Sequence, residues 1–171
     1  MPLGLERRQQ TGQLHFITFS CYRRLPYLAD QSSKDTLEQV IEKTRSSYQL
    51  MIYAYVIMPE HVHLLTNEPP KHSLASFLRV VKGQSSKLLK GTREKFWQTR
   101  YYDFNTVTTR KFVEKVQYIH RNPVTRGLVE RPEHYCWSSF NHYATGIRGV
   151  VEIESEWTAR LRGPLIAKEP R

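Results

Sequence analysis

The chain has 171 residues, enough for one domain with a real hydrophobic core. Its 26 Lys and Arg against 16 Asp and Glu give a net charge of +10, which favours a polyanionic partner over an acidic one. Only Cys21 and Cys136 occur, each isolated, so neither a disulfide framework nor a Cys-x-x-Cys zinc ribbon is readable. No apolar run approaches the ~20 residues of a membrane span, and the start, Met1 to Arg8, lacks an apolar stretch of signal-peptide length; a cytoplasmic protein with no membrane partner is expected.

In chain order, Leu14 to Tyr22 alternates and is rich in Phe, Ile and Thr, which predicts the first strand. Ser32 to Tyr48 has helical period, with Ser32 and Asp35 spaced like a capping box and Leu37, Val40, Ile41, Thr44 and Tyr48 on one stripe. Met51 to Met58 and His61 to Thr66 predict two strands across a short Pro59-Glu60 break. His72 to Lys90 predicts a second helix, with Leu74, Phe77, Leu78, Val81 and Leu88 inward and Arg79, Lys82, Lys87 and Lys90 outward. Gln98 to Thr106 reads as a fourth strand, followed by a helix from Lys111 that Pro123 is expected to end at Asn122. Strand, helix, strand, strand, helix, strand is the order of a ferredoxin-like α+β sandwich, an antiparallel sheet with helices on one face. The expected division is an N-terminal segment over 1–13, one domain over 14–143 and a C-terminal helical extension over 144–171.

Two places carry chemistry. His61 and His63 alternate with Val62 and Leu64, so on a strand both imidazoles point to one side and can supply two ligands of an open divalent-metal site. On spacing alone they serve equally as a hydrogen-bonded pair on a sheet surface. In the later helix, Phe112, Val116 and Ile119 form the apolar stripe with Val113 at its edge, and Tyr118 stands off it among Glu114, Lys115, Arg121 and Asn122. That placement suits a phenol presented to an anion, with the Asn122 carboxamide four residues on the same face as a third ligand; a surface tyrosine and a helix-capping asparagine fit the same pattern.

Met58-Pro59-Glu60-His61-Val62-His63, Phe96-Trp97-Gln98-Thr99-Arg100-Tyr101-Tyr102-Asp103, Tyr118-Ile119-His120-Arg121-Asn122-Pro123-Val124 and Tyr135-Cys136-Trp137-Ser138-Ser139-Phe140 together closely resemble the REP-associated tyrosine transposases, of the single-tyrosine HUH superfamily of bacterial insertion sequences. The resemblance runs from about Leu14 to Tyr143. It implies a ferredoxin-like fold and a single-stranded DNA transposase that nicks and rejoins hairpin-containing DNA through a 5′-phosphotyrosine. It also implies that His61 and His63 bind Mg²⁺ or Mn²⁺, that Tyr118 is the nucleophile, and that Asn122 completes the metal site where wider relatives carry glutamine. Glu60 is a candidate to orient an imidazole, and Lys82 and Lys115 are candidates for phosphate contacts. The partner implied is single-stranded or hairpin DNA, in a bacterial, nucleoid-associated setting. Insertion-sequence relatives work as homodimers, whereas a chain with an extension can act alone.

Aromatics make up 12% of the chain, and several of its ten tyrosines adjoin cations, as in Tyr22-Arg23-Arg24 and Arg100-Tyr101-Tyr102. Such neighbours suit single strands, where each stacked base contributes roughly 1–3 kcal/mol. A histidine-triad hydrolase would need a third histidine where Leu65 stands, and replication initiators carry further domains for which there is no room. A binding-only hairpin or single-strand protein with an inactive site stays open as the alternative.

Overall fold

The computed structural model describes residues 13–162; the expectations for the first twelve residues and for Gly163 to Arg171 lie outside them. Strands β1 (Leu14–Ser20), β2 (Ile52–Ile57), β3 (His61–Thr66) and β4 (Tyr102–Thr106) form one antiparallel sheet in the order β2-β3-β1-β4. Helices α1 (Gln31–Tyr48) and α2 (Leu74–Leu89) are the two helices of the βαββαβ set. The ferredoxin-like α+β arrangement expected from the element order is the one observed.

Strand alternation sorts the side chains into two cores. Ile17, Phe19, Val62 and Leu64 pack against Leu37, Val40 and Ile41 of α1 and Leu74, Phe77, Leu78 and Val81 of α2. Phe16, Ala54, Val56 and Leu65 turn to the opposite face, where Val116 and Ile119 of α3 (Thr109–Thr125) cover them with Tyr135. The helix bearing Tyr118 thus lies outside the βαββαβ set, on the face of the sheet opposite α1 and α2. Two short helices, α4 (Phe140–Thr145) and α5 (Glu156–Leu161), follow it. No helix among the described residues is long and apolar enough to cross a membrane.

Several boundaries differ from expectation for local reasons. β1 ends at Ser20, because Tyr22–Arg24 turns in a 3-10 helix with Arg23 and Arg24 both at φ 54°. α1 starts at Gln31, capped by Asp30, which accepts from Ser33 N at 2.9 Å; the Ser32 and Asp35 spacing is therefore no capping box, and Asp35 accepts from Trp137 Nε1 at 2.7 Å instead. In α2 the place foreseen for Leu88 falls to Ser85, which accepts from Trp97 Nε1 at 2.9 Å, and Leu88 is 66% exposed. Lys82 does not point free into solvent: its Nζ donates to Gln98 O at 2.8 Å and Thr99 O at 3.3 Å, in the chain ahead of β4. Pro123 does not end α3. It lacks an N–H, but its carbonyl still accepts from Leu128 N and that of Asn122 from Arg126 N, both at 2.9 Å, and the stop comes at Gly127, φ 73°.

At the far end of β1, His15 is fully buried between Asp103 and Glu68, with Nδ1 and Nε2 each at 2.8 Å from a carboxylate oxygen. Burial opposes the charged ring, but the bonds to Asp103 and Glu68 outweigh it and raise His15 above its ordinary 6.5. A raised folded value means that this contribution to stability is complete below the unfolded pKa and is lost as pH rises through the folded one. Thermal unfolding should therefore show a midpoint that falls as pH climbs above about 6.5. His15→Asn should remove that fall and cost about 3–5 kcal/mol, the usual result of taking one partner from a buried ionic cluster.

Candidate active site

The site begins with strand register. β1 pairs with β3 so that Thr18 stands opposite His63 and Ser20 opposite His61. His61, His63 and Leu65 share the face under α3, as the alternation predicted. Behind them the Pro59-Glu60 turn is tied down by Met58 N donating to His61 O, Cys21 N to Glu60 O and Leu28 N to Pro59 O, at 2.8–2.9 Å.

Both imidazoles are buried, and their Nε2 atoms stand 2.9 Å apart. Glu60 lies 3.0 Å from His61 Nδ1, and Thr18 Oγ1 is 2.7 Å from His63 Nδ1. Burial works against ionisation of Glu60, but His61 and Arg126 prevail and hold its carboxyl below the usual range. With Glu60 ionised, His61 keeps its proton on Nδ1 and offers a bare Nε2. His63 then has two states: it donates Nε2–H to His61, or it turns Nδ1–H to Thr18 and presents a second bare Nε2 beside the first. Burial lowers His61 against the pull of Glu60, and burial followed by the charge of His61 pushes His63 down to about 2, so neutral imidazoles are the stable forms. Two converging neutral nitrogens, each backed at Nδ1, can supply two ligands to a divalent cation.

α3 completes the arrangement. The Tyr118 ring lies 5.3 Å from that of His63, and the residue is 52% exposed, off the apolar stripe as its helical position required. Asn122, one turn on, is buried and lines the same cavity of about 500 Å³ with His61, His63, Tyr118, Arg24 and Arg126. Among the described residues no group of three or more His, Cys, Asp or Glu could hold a metal, and the oxygen donors of the Asn122 and Gln117 carboxamides and the Glu114 carboxylate line the same cavity. Lys115 rests with Nζ 4.3 Å over Phe16 and 5.9 Å from the Tyr118 ring, its pKa lowered by burial first and Lys111 second. Lys82 is not brought to the cavity; it sits on α2, across the sheet.

Three residues here were not foreseen. Thr18 backs His63, but the strand pairing that places it is invisible in one sequence. Arg126 Nη2 reaches Glu60 Oε1 at 2.8 Å and Arg24 Nη2 approaches it at 3.8 Å. Arg126 is four residues beyond Asn122, and reading α3 through Pro123 to Gly127 would have found it.

Other motif residues serve the scaffold. Tyr135 donates to Ile57 O at 2.6 Å, Ile57 N to Trp137 O at 2.9 Å, and Tyr55 N to Ser139 Oγ at 3.0 Å. His120, buried on α3, meets the same Ser139 Oγ at 2.7 Å and so fastens the Tyr118 helix to β2.

A family model described as IS200-like transposase matches residues 8–122. The chain belongs to that family. It is 28% identical over 119 residues to the REP-associated tyrosine transposase of Escherichia coli K12, covering 69% of this chain and 70% of that protein. It is 24% identical over 102 residues to the ISDra2 transposase TnpA of Deinococcus radiodurans, covering 57% and 73%. Its fold is similar to the solved structure of a REP-associated tyrosine transposase bound to a REP hairpin, at a TM-score of 0.73 and 24% identity, over 89% of this chain and 92% of that one. The resemblance drawn from the motifs is borne out.

Burial alone lowers His120 to about 4 from 6.5, so the unfolded chain binds its proton more readily and stability falls as pH drops from 6.5 towards 4. His120→Asn should flatten that acid limb by up to about 1.4 kcal/mol per pH unit, measured by urea unfolding at several pH values.

Proposed function

We propose that the protein is a DNA transposase that nicks and rejoins hairpin-containing single-stranded DNA, with Tyr118 as nucleophile and a 5′-phosphotyrosine as intermediate. The observation that carries the reading is the convergence, in one cavity and from one chain, of Tyr118 with His61, His63 and Asn122. The net charge of +10 suits a DNA partner, and the similar solved structure holds a REP hairpin.

His61, His63 and Asn122 would hold a divalent cation, Mn²⁺ fitting two imidazoles better than Mg²⁺ by ligand softness. Bound there, it would polarise the scissile phosphate and offset charge in the transition state. Glu60 and Thr18 keep the two Nε2 atoms free by engaging the opposite ring nitrogens. The Tyr118 oxygen attacks phosphorus, the bond to the 3′ oxygen breaks, and that oxygen takes a proton from water to leave as a free 3′ hydroxyl. Tyr118 is half exposed, so its proton passes to water. Lys115, with Nζ 5.9 Å from the centre of the ring, favours the developing phenolate and a phosphate oxygen. Attack by the 3′ hydroxyl of another strand reverses the step and joins DNA without ATP, because the phosphotyrosine conserves the bond.

Hairpin oligonucleotides labelled at either end and incubated with Mn²⁺ test this on a denaturing protein gel: the fragment lying 3′ of the nick should migrate with protein, and Tyr118→Phe should form no adduct while binding hairpins within about twofold of the parent. Adduct formation by Tyr118→Phe would move the nucleophile elsewhere. Binding without any cleavage by the parent would leave the binding-only reading in its place.

The metal site has its own test. His61→Ala and His63→Ala should abolish cleavage yet retain most hairpin binding, whereas Asn122→Ala should lose less because water replaces a neutral oxygen. Thr18→Val, which only frees the His63 ring, should weaken Mn²⁺ binding by about 10–100-fold in calorimetry. Unchanged Mn²⁺ affinity in Thr18→Val would remove the hydroxyl from the site.

A further inference from the structure

The turn that leaves β1 carries groups that the cavity does not use. Arg23 and Arg24 both sit at φ 54°, backbone that residues with a Cβ seldom adopt and that persists only where the surroundings demand it. The loop after α2 is stitched to this turn: Cys21 and Trp97 form a β-bridge, Tyr22 N donates to Phe96 O at 2.8 Å, and Gln98 N donates to Ser20 O at 2.9 Å.

The stitching sets cations from both loops on two tyrosine rings. The Arg23 guanidinium lies 5.1 Å from the centre of Tyr22, with Lys95 Nζ 5.7 Å from the same ring, and the Arg93 guanidinium lies 4.4 Å over Tyr27. Arg23, Arg93 and Lys95 are exposed and the tyrosines half-buried. Across residues 21–28 and 90–98, five cations, Arg23, Arg24, Lys90, Arg93 and Lys95, face one acid, Glu94. Arg24 ties this surface to the cavity, since it follows Arg23 in the chain and lines the same space as Tyr118.

Exposed cation–ring pairs contribute little to folding in water, so stability does not explain why Arg23, Arg93 and Lys95 are set on the two rings. They match what an unpaired strand presents, flat base faces beside phosphates; in a duplex those faces are stacked away. We propose that Tyr22 and Tyr27, with Arg23, Arg93 and Lys95, bind the unpaired DNA that runs to or from the Tyr118 cavity, bases stacking on the ring–cation pairs and phosphates meeting the cations. The inference rests on the function proposed above and adds the surface that receives the strand.

The test compares binding of fluorescent oligothymidine and of a duplex of equal length by three variants of the full chain. Arg23→Gly/Lys95→Ala removes both cations from Tyr22, and glycine accepts the left-handed backbone at 23 without strain. Tyr22→Leu removes the stacking face and keeps the charge. Lys43→Ala/Arg79→Ala removes two exposed charges from α1 and α2 as a control. The first two should each lose at least about fivefold affinity for oligothymidine, the lower end of what one stacked base contributes, with duplex binding changed less than twofold. The first should also flatten the logarithmic salt dependence by about 0.7 for each cation removed. The control should stay within twofold. Equal losses in the control, or equal losses on duplex, would overturn the platform. Covalent adducts on hairpin oligonucleotides, formed normally while the platform variants bind oligothymidine like the parent, would overturn this inference alone; a parent chain that binds no unpaired strand would overturn it together with the function.

Discussion

The pairing of β1 with β3 at the centre of the sheet governs everything functional in this molecule. Ile17, Phe19, Val62 and Leu64 are wholly buried on the α1 and α2 side, and in a ladder of period two their burial forces Thr18, His61 and His63 to the other side. A slip of β3 by one residue would turn the imidazoles into the core under α1 and α2 and carry Val62 and Leu64 out of it. At about 1.5–3 kcal/mol for each such side chain, the hydrophobic core pins the register far more firmly than the hydrogen bonds of the histidines could. The reactive face is thus positioned by residues that never touch it.

Glu60 plays the corresponding part between elements. Its carboxylate receives His61 from β3 and Arg126 from the last turn of α3, with Arg24 from the turn after β1 close by. One buried anion therefore joins three pieces of chain that are distant in sequence. It sets the imidazole tautomer and, through Arg126, anchors the end of the helix that presents Tyr118 and Asn122. The opposite flank of the same helix is anchored by His120 on Ser139. With both flanks tied, Tyr118 stands on a braced element although its own side chain faces solvent.

The layout was legible because it depends on periodicity. Alternation in Val62-His63-Leu64 and the helical spacing of Phe112, Val116 and Ile119 are enough to place the histidine pair and the off-stripe tyrosine. What escaped has one of two physical origins. Thr18 and Arg24 depend on long-range pairing, which one sequence does not encode locally. The end of α3 and the start of α1 depend on competition between punctuation signals: Pro123 is itself buried and α3 runs through it despite the missing N–H and the clash of its ring with the preceding turn, and Asp30 outcompetes Ser32 because a carboxylate accepts several bonds at once. The two tryptophans of the motifs around Trp97 and Trp137 serve as framework, since an indole N–H must find a partner when its ring packs, at Ser85 and Asp35 respectively.

The outer margin of the sheet at β2 is closed by chain that comes much later. Ser138 bridges Val56, Ile153 bridges Ile52, and Glu154 N donates to Ile52 O at 2.8 Å. Trp157 then lies over Gly146, where even a methyl carbon would come within 2.8 Å of the indole. During synthesis, the strand margin beside β2 remains unpaired until residues near 154 have emerged, although β1 to β4 and α3 are already complete. A nascent chain released before that point would present a bare strand edge, the usual template for joining another chain. Shortening the protein from its C-terminus thus endangers solubility well before it reaches any residue of the cavity.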